Sequence, residues 1–285
     1  MAAAAFTLCA GRSNAQEPSH LKDVVYAHKL GVALTMDVFK PAKPNGIGVI
    51  WMVSGGWVSN HDNINPGVAK VFTDRGQTVF EVVHGSQPRF VLPEIIQDIH
   101  RSVRFIRTHA KEYGVDPNKL GISGGSAGGH LSLTMASYGG PGDSAAKDPV
   151  DRESSAVQCV ACFFPATDLI NFGGEGKLCL DEPMLKPFLH VFAIPETATR
   201  EEKEKGLRPL SPIYGISKKT PATLIIHGEA DTLVPIQQSE RYVAKLKEEG
   251  VEAKLERRPG QGHGWAGMDK DFAILADWFD KHLNH

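Results

Sequence analysis

A serine stands among small residues in the segment Gly124–Gly128, whose sequence is Gly-Gly-Ser-Ala-Gly. The run 119–123 before it predicts a β-strand, and the run 129–136 after it predicts an α-helix. A serine in a sharp strand-to-helix turn projects its hydroxyl clear of the sheet, at the positive end of the following helix. Such a turn has no room for large side chains, which is why glycines flank the serine. The segment therefore predicts that Ser126 is a nucleophile.

A serine hydroxyl is a weak nucleophile at neutral pH, so it needs a base, and the base needs a third group that fixes its tautomer. His263 is the best base, because it follows a predicted strand and the glycines on both sides let its ring reach into a site. Asp231 is the best acid, because it lies in the loop after an apolar strand, where ligand-side groups of open α/β sheets belong. Enzymes whose nucleophilic serine lies in a strand-to-helix turn use the chain order serine, acid, histidine, and Ser126, Asp231 and His263 follow it.

Other residues compete for these two roles. Glu229 and Asp168 are the alternative acids, although Glu229 suits a turn or a supporting position and Asp168 suits a helix cap. The chain has twelve histidines, so a lone histidine carries little information. His227, which precedes the acid loop, is predicted to be structural. His130, on the helix after the serine, is predicted to pack or to support the site rather than to react.

The oxyanion that forms during acyl transfer needs backbone N–H donors that already point at it. Ala127 is one predicted donor, because it begins the helix after the serine. Gly55 and Gly56 are the others, in the loop Ser54–Trp57 after an early apolar strand, since glycines allow a ligand to approach the backbone closely. The alternative for this loop is an ordinary Gly-Gly turn.

The elements that must position these residues alternate between strands and helices. An antiparallel hairpin is predicted first, with strands at 24–26 and 34–39 and a turn near Gly31. Apolar strands are then predicted at 47–53, 78–83, 157–164, 222–226 and 253–256. Helices are predicted at 66–74, 93–113, 237–249 and 272–282, and a turn is predicted at 116–118. Apolar strands that alternate with helices predict a mostly parallel sheet covered on both faces.

One long segment, about 169–212, has no clear sheet strand. It contains Gly173 and Gly174, several prolines and the charged run 200–205, which is typical of a solvated helix face. An excursion of this length in a compact domain is usually a lid or a binding insertion with helices of its own. We therefore predict a helical lid or insertion at about 169–212 within a domain that covers residues 21–285.

Together these residues resemble the α/β-hydrolase superfamily, in particular the esterases and lipases related to hormone-sensitive lipase and the BD-FAE-type esterases. The resemblance covers roughly residues 30–285 and implies the α/β-hydrolase fold, with a mostly parallel central sheet led by an antiparallel hairpin and helices on both faces. It is weakly specific for substrate, because one fold hosts many chemistries. The signals that carry it are Ser54–Trp57, the helix pattern at 99–107, Gly124–His130 and the loops of Asp231 and His263.

Two segments depart from the family pattern. Val53 and Ser54 stand where the family loop usually has a histidine and its first glycine. Gly55 and Gly56 align with the two glycines that donate to the oxyanion in the family, so the resemblance implies that the hole survives while its support changes. The segment His84–Phe90 replaces a Tyr-Arg-Leu-Ala-Pro run of many relatives. It is either part of the substrate pocket or a plain loop.

The leading hypothesis is a serine carboxylesterase that works through an acyl-enzyme and needs no metal or organic cofactor. By family analogy, its substrates are small-molecule esters or ester-decorated polysaccharides with short acyl, acetyl or feruloyl groups. Trp57 and the segment 169–212 are predicted to shape the substrate pocket. One alternative is a serine peptidase that resembles the prolyl-oligopeptidase group, which usually carries a propeller domain. Another is a catalytically dead, hydrolase-like binding protein, although such proteins typically lose a triad residue.

The bulk properties fit one large α/β domain. The chain has 285 residues, of which 41% are hydrophobic and 22% are charged, and this balance argues against wholesale disorder. The net charge of −2 gives no reason to expect nucleic acid or an anionic membrane as a partner. No apolar run is as long as a membrane-spanning helix. The sequence does not predict an oligomeric state.

Residues 1–20 are predicted to lie outside the fold. Residues 1–10 form a short apolar run, and Ser13 and Ala15 resemble a small-x-small cleavage site, although no positively charged region precedes them. The segment is therefore either a signal peptide, which would make the protein secreted or periplasmic, or the disordered, uncleaved tail of a cytoplasmic protein.

Cys159 and Cys162 lie three residues apart in a predicted buried strand. Residues with this spacing on a strand point to opposite faces of the sheet. A disulfide or a shared metal is therefore not expected, and both residues are predicted to be buried thiols.

Overall fold

The computed structural model describes residues 18–284 and contains one sheet of eight strands in the order β1-β2-β4-β3-β5-β6-β7-β8. The strands are β1 Ser19–Lys29, β2 Val32–Lys40, β3 Gly46–Val53, β4 Thr78–Val83, β5 Val115–Gly124, β6 Cys159–Phe163, β7 Ala222–Gly228 and β8 Ala253–Arg258. β1 and β2 form an antiparallel hairpin, and β2 also pairs with β4 antiparallel. From β4 through β3 to β8 each neighbouring pair is parallel, which confirms the predicted fold class.

Helices connect the strands. The α-helices are α1 Pro66–Thr73, α2 Leu92–Thr108, α3 Ala127–Tyr138, α4 Pro149–Arg152, α5 Arg200–Leu207, α6 Gln237–Glu248 and α7 Asp271–Leu283. Short 3-10 helices lie at His61–Asn63, Ala110–Tyr113, Cys179–Asp181, Pro183–Phe192, Arg208–Leu210, Pro212–Gly215 and Met268–Lys270. The crossover connections through these helices are what allow neighbouring strands to run parallel.

Two apolar layers cover the two faces of the sheet. On one face, α2, α3 and α6 pack through residues such as Ile99, Leu131 and Tyr242. On the other face, α1 and α7 pack through residues such as Phe72 and Phe279. The inner strands β3, β4, β6 and β7 are largely apolar because both of their faces are buried, as is typical of parallel sheets, whereas the edge strands β1 and β8 are partly exposed and carry charged residues. This two-sided packing fixes the carboxyl ends of the strands, where the predicted site residues lie.

Three of the differences between the predicted boundaries and the structure affect the description of the fold. The first strand begins at Ser19, so residues 19 and 20 belong to the sheet and not to the predicted terminal segment. The helix predicted at 93–113 ends as an α-helix at Thr108 and is followed by a 3-10 turn. The turn predicted at 116–118 is a bulge inside β5, where the register against β3 shifts. The predicted signal peptide lies mostly outside the described residues.

The segment 169–212 contains 3-10 helices and α5 but no strand. Its inner side chains, among them Leu185, Val191 and Phe192, join the large core layer beside α2 and α3. The charged run 200–205 forms the exposed part of α5, which begins with a capping box between Thr199 and Glu202. The segment is therefore packed onto the carboxyl-end side of the molecule as a helical layer.

Within residues 18–284, no helix is both long and apolar enough to cross a membrane. Cys159, Cys162 and Cys179 are buried free thiols. Burial raises the pKa of the Cys162 thiol, so this side chain behaves as a small apolar group.

Candidate active site

The turn between β5 and α3 holds Ser126 in a conformation that few residues adopt, with φ 55° and ψ −117°. The neighbouring glycines make this possible. A Cβ atom on Gly124 would lie 2.6 Å from the carbonyl carbon of Gly128, and one on Gly128 would lie 2.7 Å from the carbonyl oxygen of Met52. The strained backbone is therefore fixed by close packing of backbone on backbone, and it presents the hydroxyl above the sheet.

Three side chains form a continuous hydrogen-bonded chain. The Oγ of Ser126 lies 2.9 Å from Nε2 of His263, and Nδ1 of His263 lies 2.7 Å from Oδ2 of Asp231. A proton on Nδ1 satisfies both bonds, because it leaves Nε2 free to accept from the serine hydroxyl. His263 comes from the loop after β8 and Asp231 from the loop after β7, so strands far apart in sequence bring the three together.

Asp231 is held by four donors. Its Oδ1 accepts from the N–H groups of Leu233 and Val234, and its Oδ2 accepts from His263 and from Nε2 of His227. Burial by itself raises the pKa of Asp231. The hydrogen bonds from His227, His263 and Val234 together lower the pKa by more than burial raises it, so the pKa lies well below its ordinary value. Asp231 is therefore a carboxylate that can orient His263 and stabilise its cation.

The alternative residues have other partners. Asp168 is buried and accepts from Ile170, Asn171, Tyr214 and Arg241, so it anchors the start of the segment 169–212. Glu229 lies near the surface, 3.7 Å from Arg257. His227 accepts from Ser239 and donates to the carbonyl of Val234, which agrees with the predicted structural role. None of these side chains contacts Ser126.

Two amides beside Ser126 are available to an oxyanion. The N–H groups of Gly56 and Ala127 have no acceptor among residues 18–284, and both residues line the cavities that meet at the serine. Ala127 is the first residue of α3, where backbone N–H groups and the helix dipole favour a negative charge. Both amides are therefore free to donate to an oxyanion, and their role in an oxyanion hole stays a prediction.

Gly55 does not have the predicted character. Its N–H donates to the carbonyl of Val58 at 3.0 Å, and the N–H of Val58 donates back to Gly55 at 3.0 Å. This pair closes a tight turn whose central residues, Gly56 and Trp57, have φ of 56° and 58°. In this conformation Gly55 shapes the turn, and its own N–H is not free to bind an oxyanion.

A network from the segment after β4 supports this turn in place of the family histidine. His84 donates from Nδ1 to the carbonyl of Gly85 and accepts at Nε2 from the hydroxyl of Ser54, 2.8 Å away. Gln87 donates to the carbonyl of Gly56. Burial lowers the pKa of His84 to about 4, so its ring is neutral and can accept the hydrogen bond from the hydroxyl of Ser54. The segment 84–90 is thus the support of the oxyanion loop.

Trp57 and His130 connect the oxyanion loop to α3. The indole N–H of Trp57 donates to Nδ1 of His130 at 3.2 Å, and Nε2 of His130 donates to the carbonyl of Leu210 at 2.8 Å. Burial lowers the pKa of His130 to about 4, which keeps the ring neutral. His130 therefore supports the site through Trp57; its backbone N–H donates to the carbonyl of Ser126 at 2.8 Å, while its ring nitrogens pair with Trp57 and Leu210 and not with the Ser126 hydroxyl.

Two cavities meet at Ser126. An enclosed cavity of about 50 Å³ lies beneath the segment 169–212 and is lined by Trp57 and Phe188 among other apolar residues. A wider, open cleft of about 480 Å³ lies on the other side and is lined by His263 and Asn63. A substrate carbonyl at Ser126 would therefore extend in two directions into spaces of very different size.

Sequence reasoning missed two side chains of the site. Phe164, directly after β6, packs against the ring of His263 with centroids 4.4 Å apart. Its position at the carboxyl end of a parallel strand could have identified it as a site residue, because ligand sites of open α/β sheets lie at that edge. Phe188 reaches the site from a 3-10 helix far along the chain, and no local pattern in the sequence indicates that contact.

One group of potential metal ligands occurs in the described part of the chain. Ligand atoms of Asp23, Asp37 and His61 lie within 4.8 Å of one another. The group contains none of the residues around Ser126, and Asp23 and His61 are exposed. The geometry at Ser126 itself is that of acyl transfer by amino-acid side chains.

The eight-stranded sheet, the strained serine turn and the order of the three side chains define an α/β-hydrolase. The BD-FAE family model matches residues 36–246, so the chain belongs to the BD-FAE family. A solved structure titled a truncated form of carbohydrate esterase from gut microbiota superposes with a TM-score of 0.79 at 25% identity, over 96% of this chain and 99% of that chain.

Several curated relatives are longer than this chain, and the match covers only part of them. The probable carboxylic ester hydrolase LipM of Mycobacterium tuberculosis is 30% identical over 161 residues, which cover 56% of this chain and 35% of LipM. The ethyl acetate hydrolase of Pseudomonas putida is 24% identical over 97% of this chain and 86% of its own length. The chain spans 35% to 61% of the length of three mycobacterial relatives that it matches.

Proposed function

We propose that this protein is a serine carboxylesterase that hydrolyses esters through an acyl-enzyme intermediate. The observation that carries the proposal is the chain of hydrogen bonds from Ser126 through His263 to Asp231, at 2.9 and 2.7 Å. Membership of the BD-FAE family and the similarity to proteins named as ester hydrolases support the same conclusion.

The reaction follows from this geometry. The Oγ of Ser126 attacks the ester carbonyl carbon while its proton passes to Nε2 of His263, and Asp231 stabilises the resulting imidazolium. The N–H groups of Gly56 and Ala127 bind the oxyanion. When the tetrahedral intermediate collapses, His263 returns the proton to the departing alcohol oxygen and the acyl group stays on Ser126. Water then repeats the sequence, with His263 as its base, and releases the acid.

The open cleft beside His263 favours bulky alcohols. The departing oxygen must lie within hydrogen-bond reach of His263, so the alcohol occupies the cleft that this histidine lines. A cleft of about 480 Å³ that opens to solvent has room for a sugar or for the end of an ester-decorated polysaccharide. The similarity to a structure titled carbohydrate esterase agrees with this substrate class.

The test compares wild type with Ser126→Ala on nitrophenyl acetate, methyl ferulate, acetylated xylan and an aminoacyl anilide. We expect wild type to cleave acetyl esters, and we expect the rate in Ser126→Ala to be lower by roughly 10³-fold or more while the fold is retained. Cleavage of the anilide without ester hydrolysis would replace the esterase with a peptidase. Ester cleavage that survives in Ser126→Ala would overturn the assignment of the nucleophile.

We also propose that the terminal segment before β1 acts as a signal peptide and that the mature protein is exported. The motivation is the short apolar run followed by small residues at Ser13 and Ala15. Mass spectrometry of the N-terminus after expression of the full chain tests this proposal. A terminus at or just after Ala15 supports export, and an intact terminus on cytoplasmic protein contradicts it.

A further inference from the structure

The two cavities at Ser126 differ in their access to His263. The open cleft is lined by His263, whereas the enclosed cavity is lined by Ser126, Gly56 and Ala127 but not by the histidine. Because His263 must protonate the departing alcohol, the alcohol portion of the substrate lies on the side of the histidine. The acyl portion then extends from the carbonyl carbon in the other direction, into the enclosed cavity.

We propose that this enclosed cavity is the acyl subsite and that Phe188 determines which acyl groups enter it, so that short acyl groups are accepted in preference to long ones. The inference rests on the proposed esterase function and adds its acyl specificity. It assigns to the segment 169–212 a defined role, which is to close the acyl side of the site while the alcohol side remains open.

The cavity is much smaller than the cleft, with a volume of about 50 Å³ against about 480 Å³. The smaller space favours short alkyl chains beyond the carbonyl over long ones. The walls are apolar, with side chains from Trp57, Leu169, Phe172, Leu185, Phe188 and Leu233. Such a cavity accepts an alkyl group and rejects a charged or strongly polar acyl chain.

Phe188 differs from the other large residues of the wall. Leu169, Phe172 and Leu185 are almost completely buried and belong to the core, so shortening them would leave a gap inside the protein. Phe188 is only partly buried, so its side chain is accessible to solvent as well as lining the cavity. Removal of its ring would therefore lengthen the cavity toward solvent instead of hollowing the core.

The ring of Phe188 lies directly beside the oxyanion loop. A Cβ atom added to Gly56 would overlap this ring, and the ring meets that of Trp57 edge-on with centroids 6.4 Å apart. The 3-10 helix that carries Phe188 is fixed by the buried residues Val191 and Phe192 and by a hydrogen bond from His190 to the carbonyl of Pro88. Phe188 is therefore a fixed wall close to the reacting carbonyl.

The first experiment measures kcat/KM for nitrophenyl acetate, butanoate, hexanoate and octanoate with wild type, Phe188→Ala and Met184→Ala. Met184 is the matched control, because it lies on the same helix but is exposed and does not line the cavity. The ratio of hexanoate to acetate is expected to rise about 10- to 100-fold in Phe188→Ala and to stay at the wild-type value in Met184→Ala. An unchanged ratio in Phe188→Ala, or a wild type that prefers octanoate, would overturn the proposal.

A second measurement does not depend on a variant. The wild-type protein is labelled at Ser126 with nitrophenyl phosphonates that carry a methyl or a hexyl group. In parallel, its hydrolysis of acetates of small and large alcohols is measured. Labelling by the methylphosphonate is expected to be at least about tenfold faster than by the hexylphosphonate, whereas acetates of large alcohols remain good substrates. Equal labelling rates would overturn the acyl assignment while the esterase function stands. Absence of any Ser126-dependent ester hydrolysis would overturn both.

Discussion

Gly56 is the residue at which the oxyanion loop, the acyl cavity and the segment 169–212 meet. Its φ of 56° is easily reached only by glycine, and a Cβ atom there would overlap the ring of Phe188. Gly55, one residue earlier, has open space around its Cα, and its N–H is already paired with Val58. A side chain is therefore excluded at Gly56 by the backbone conformation and by Phe188, whereas the space around Gly55 would admit one.

This difference predicts different costs for two alanine substitutions. Gly56→Ala displaces the amide that we propose binds the oxyanion, so kcat is expected to fall about 10²- to 10³-fold. Gly55→Ala meets no neighbour within 4 Å and keeps its N–H bond, so a much smaller loss is expected. Steady-state kinetics on nitrophenyl acetate, with circular dichroism as a check of folding, measure both. Equal losses in the two variants would show that the loop tolerates no side chain at either position.

At the residue level, the sequence predicted the side chains but not all of their partners. Ser126, Asp231 and His263 were predicted because their local settings are distinctive and their chain order is restricted; the structure joins the three by hydrogen bonds, and their catalytic roles stay a prediction. The paired amide of Gly55 and the bond from Ser54 to His84 depend on contacts across different loops. Local composition carries no information about such contacts, so the alignment of Gly55 with a donor glycine was not sufficient.

Among the elements, α3 is connected to two others through one buried imidazole. His130 accepts from Trp57 in the oxyanion loop and donates to the carbonyl of Leu210 in the segment 169–212. Because the ring is neutral and fully buried, each partner depends on it for its hydrogen bond. The loop, the helix and the insertion therefore share one support.

His130→Ala is expected to lower the free energy of unfolding by about 2–4 kcal/mol, because it leaves two buried polar groups without partners and a cavity between them. It should also reduce kcat/KM, since Trp57 loses its anchor beside the acyl cavity. The exposed His28 offers a control, and His28→Ala should change stability by less than about 0.5 kcal/mol. Urea denaturation of both variants gives the comparison, and a His130→Ala variant as stable as the control would contradict this account.

The sequence predicted which elements exist better than where they end. The strands and most helices were found from apolar patterning, which depends on which faces are buried. The end of α2 at Thr108 and the bulge at 116–118 depend on how the chain must turn to bring β5 beside β3. That constraint comes from the tertiary structure, so a local pattern cannot predict it.

Across the whole molecule, one buried acid couples stability to pH. Glu81 on β4 is fully buried, and its Oε2 accepts from the N–H of Asn65 while its Oε1 has no partner within residues 18–284. Burial raises the pKa of Glu81 to about 7; the bond from Asn65 opposes this rise, and the nearby Asp37 adds to it. The folded protein thus binds a proton on Glu81 at a pH where the unfolded chain has lost it.

The sign of the effect follows from this difference. Since the unfolded carboxyl ionises near pH 4.5 and the folded one near 7, Glu81 destabilises the fold progressively as pH rises between these values. Glu81→Gln removes the titration and keeps an acceptor for Asn65. The variant is expected to gain on the order of 2–3 kcal/mol over wild type at pH 8 and almost nothing at pH 4.5. Thermal melts at both pH values measure it, and a gain independent of pH would contradict the assignment.

The order of the strands in the sheet was beyond a local prediction. The fold class followed from alternating apolar strands and helices, and the resemblance to a known superfamily supplied the topology. No local pattern states that β4 lies between β2 and β3, or that Phe188 reaches the oxyanion loop. Such placements arise when the whole chain buries both faces of one sheet.

The central claim is that Ser126 is the nucleophile of an acyl-transfer site. The most direct test treats wild-type protein with a fluorophosphonate and locates the adduct by peptide mass spectrometry. We predict one adduct, on the peptide that contains Ser126, with simultaneous loss of ester hydrolysis. An adduct on another residue, or full inactivation of the enzyme without a modified Ser126, would contradict the account.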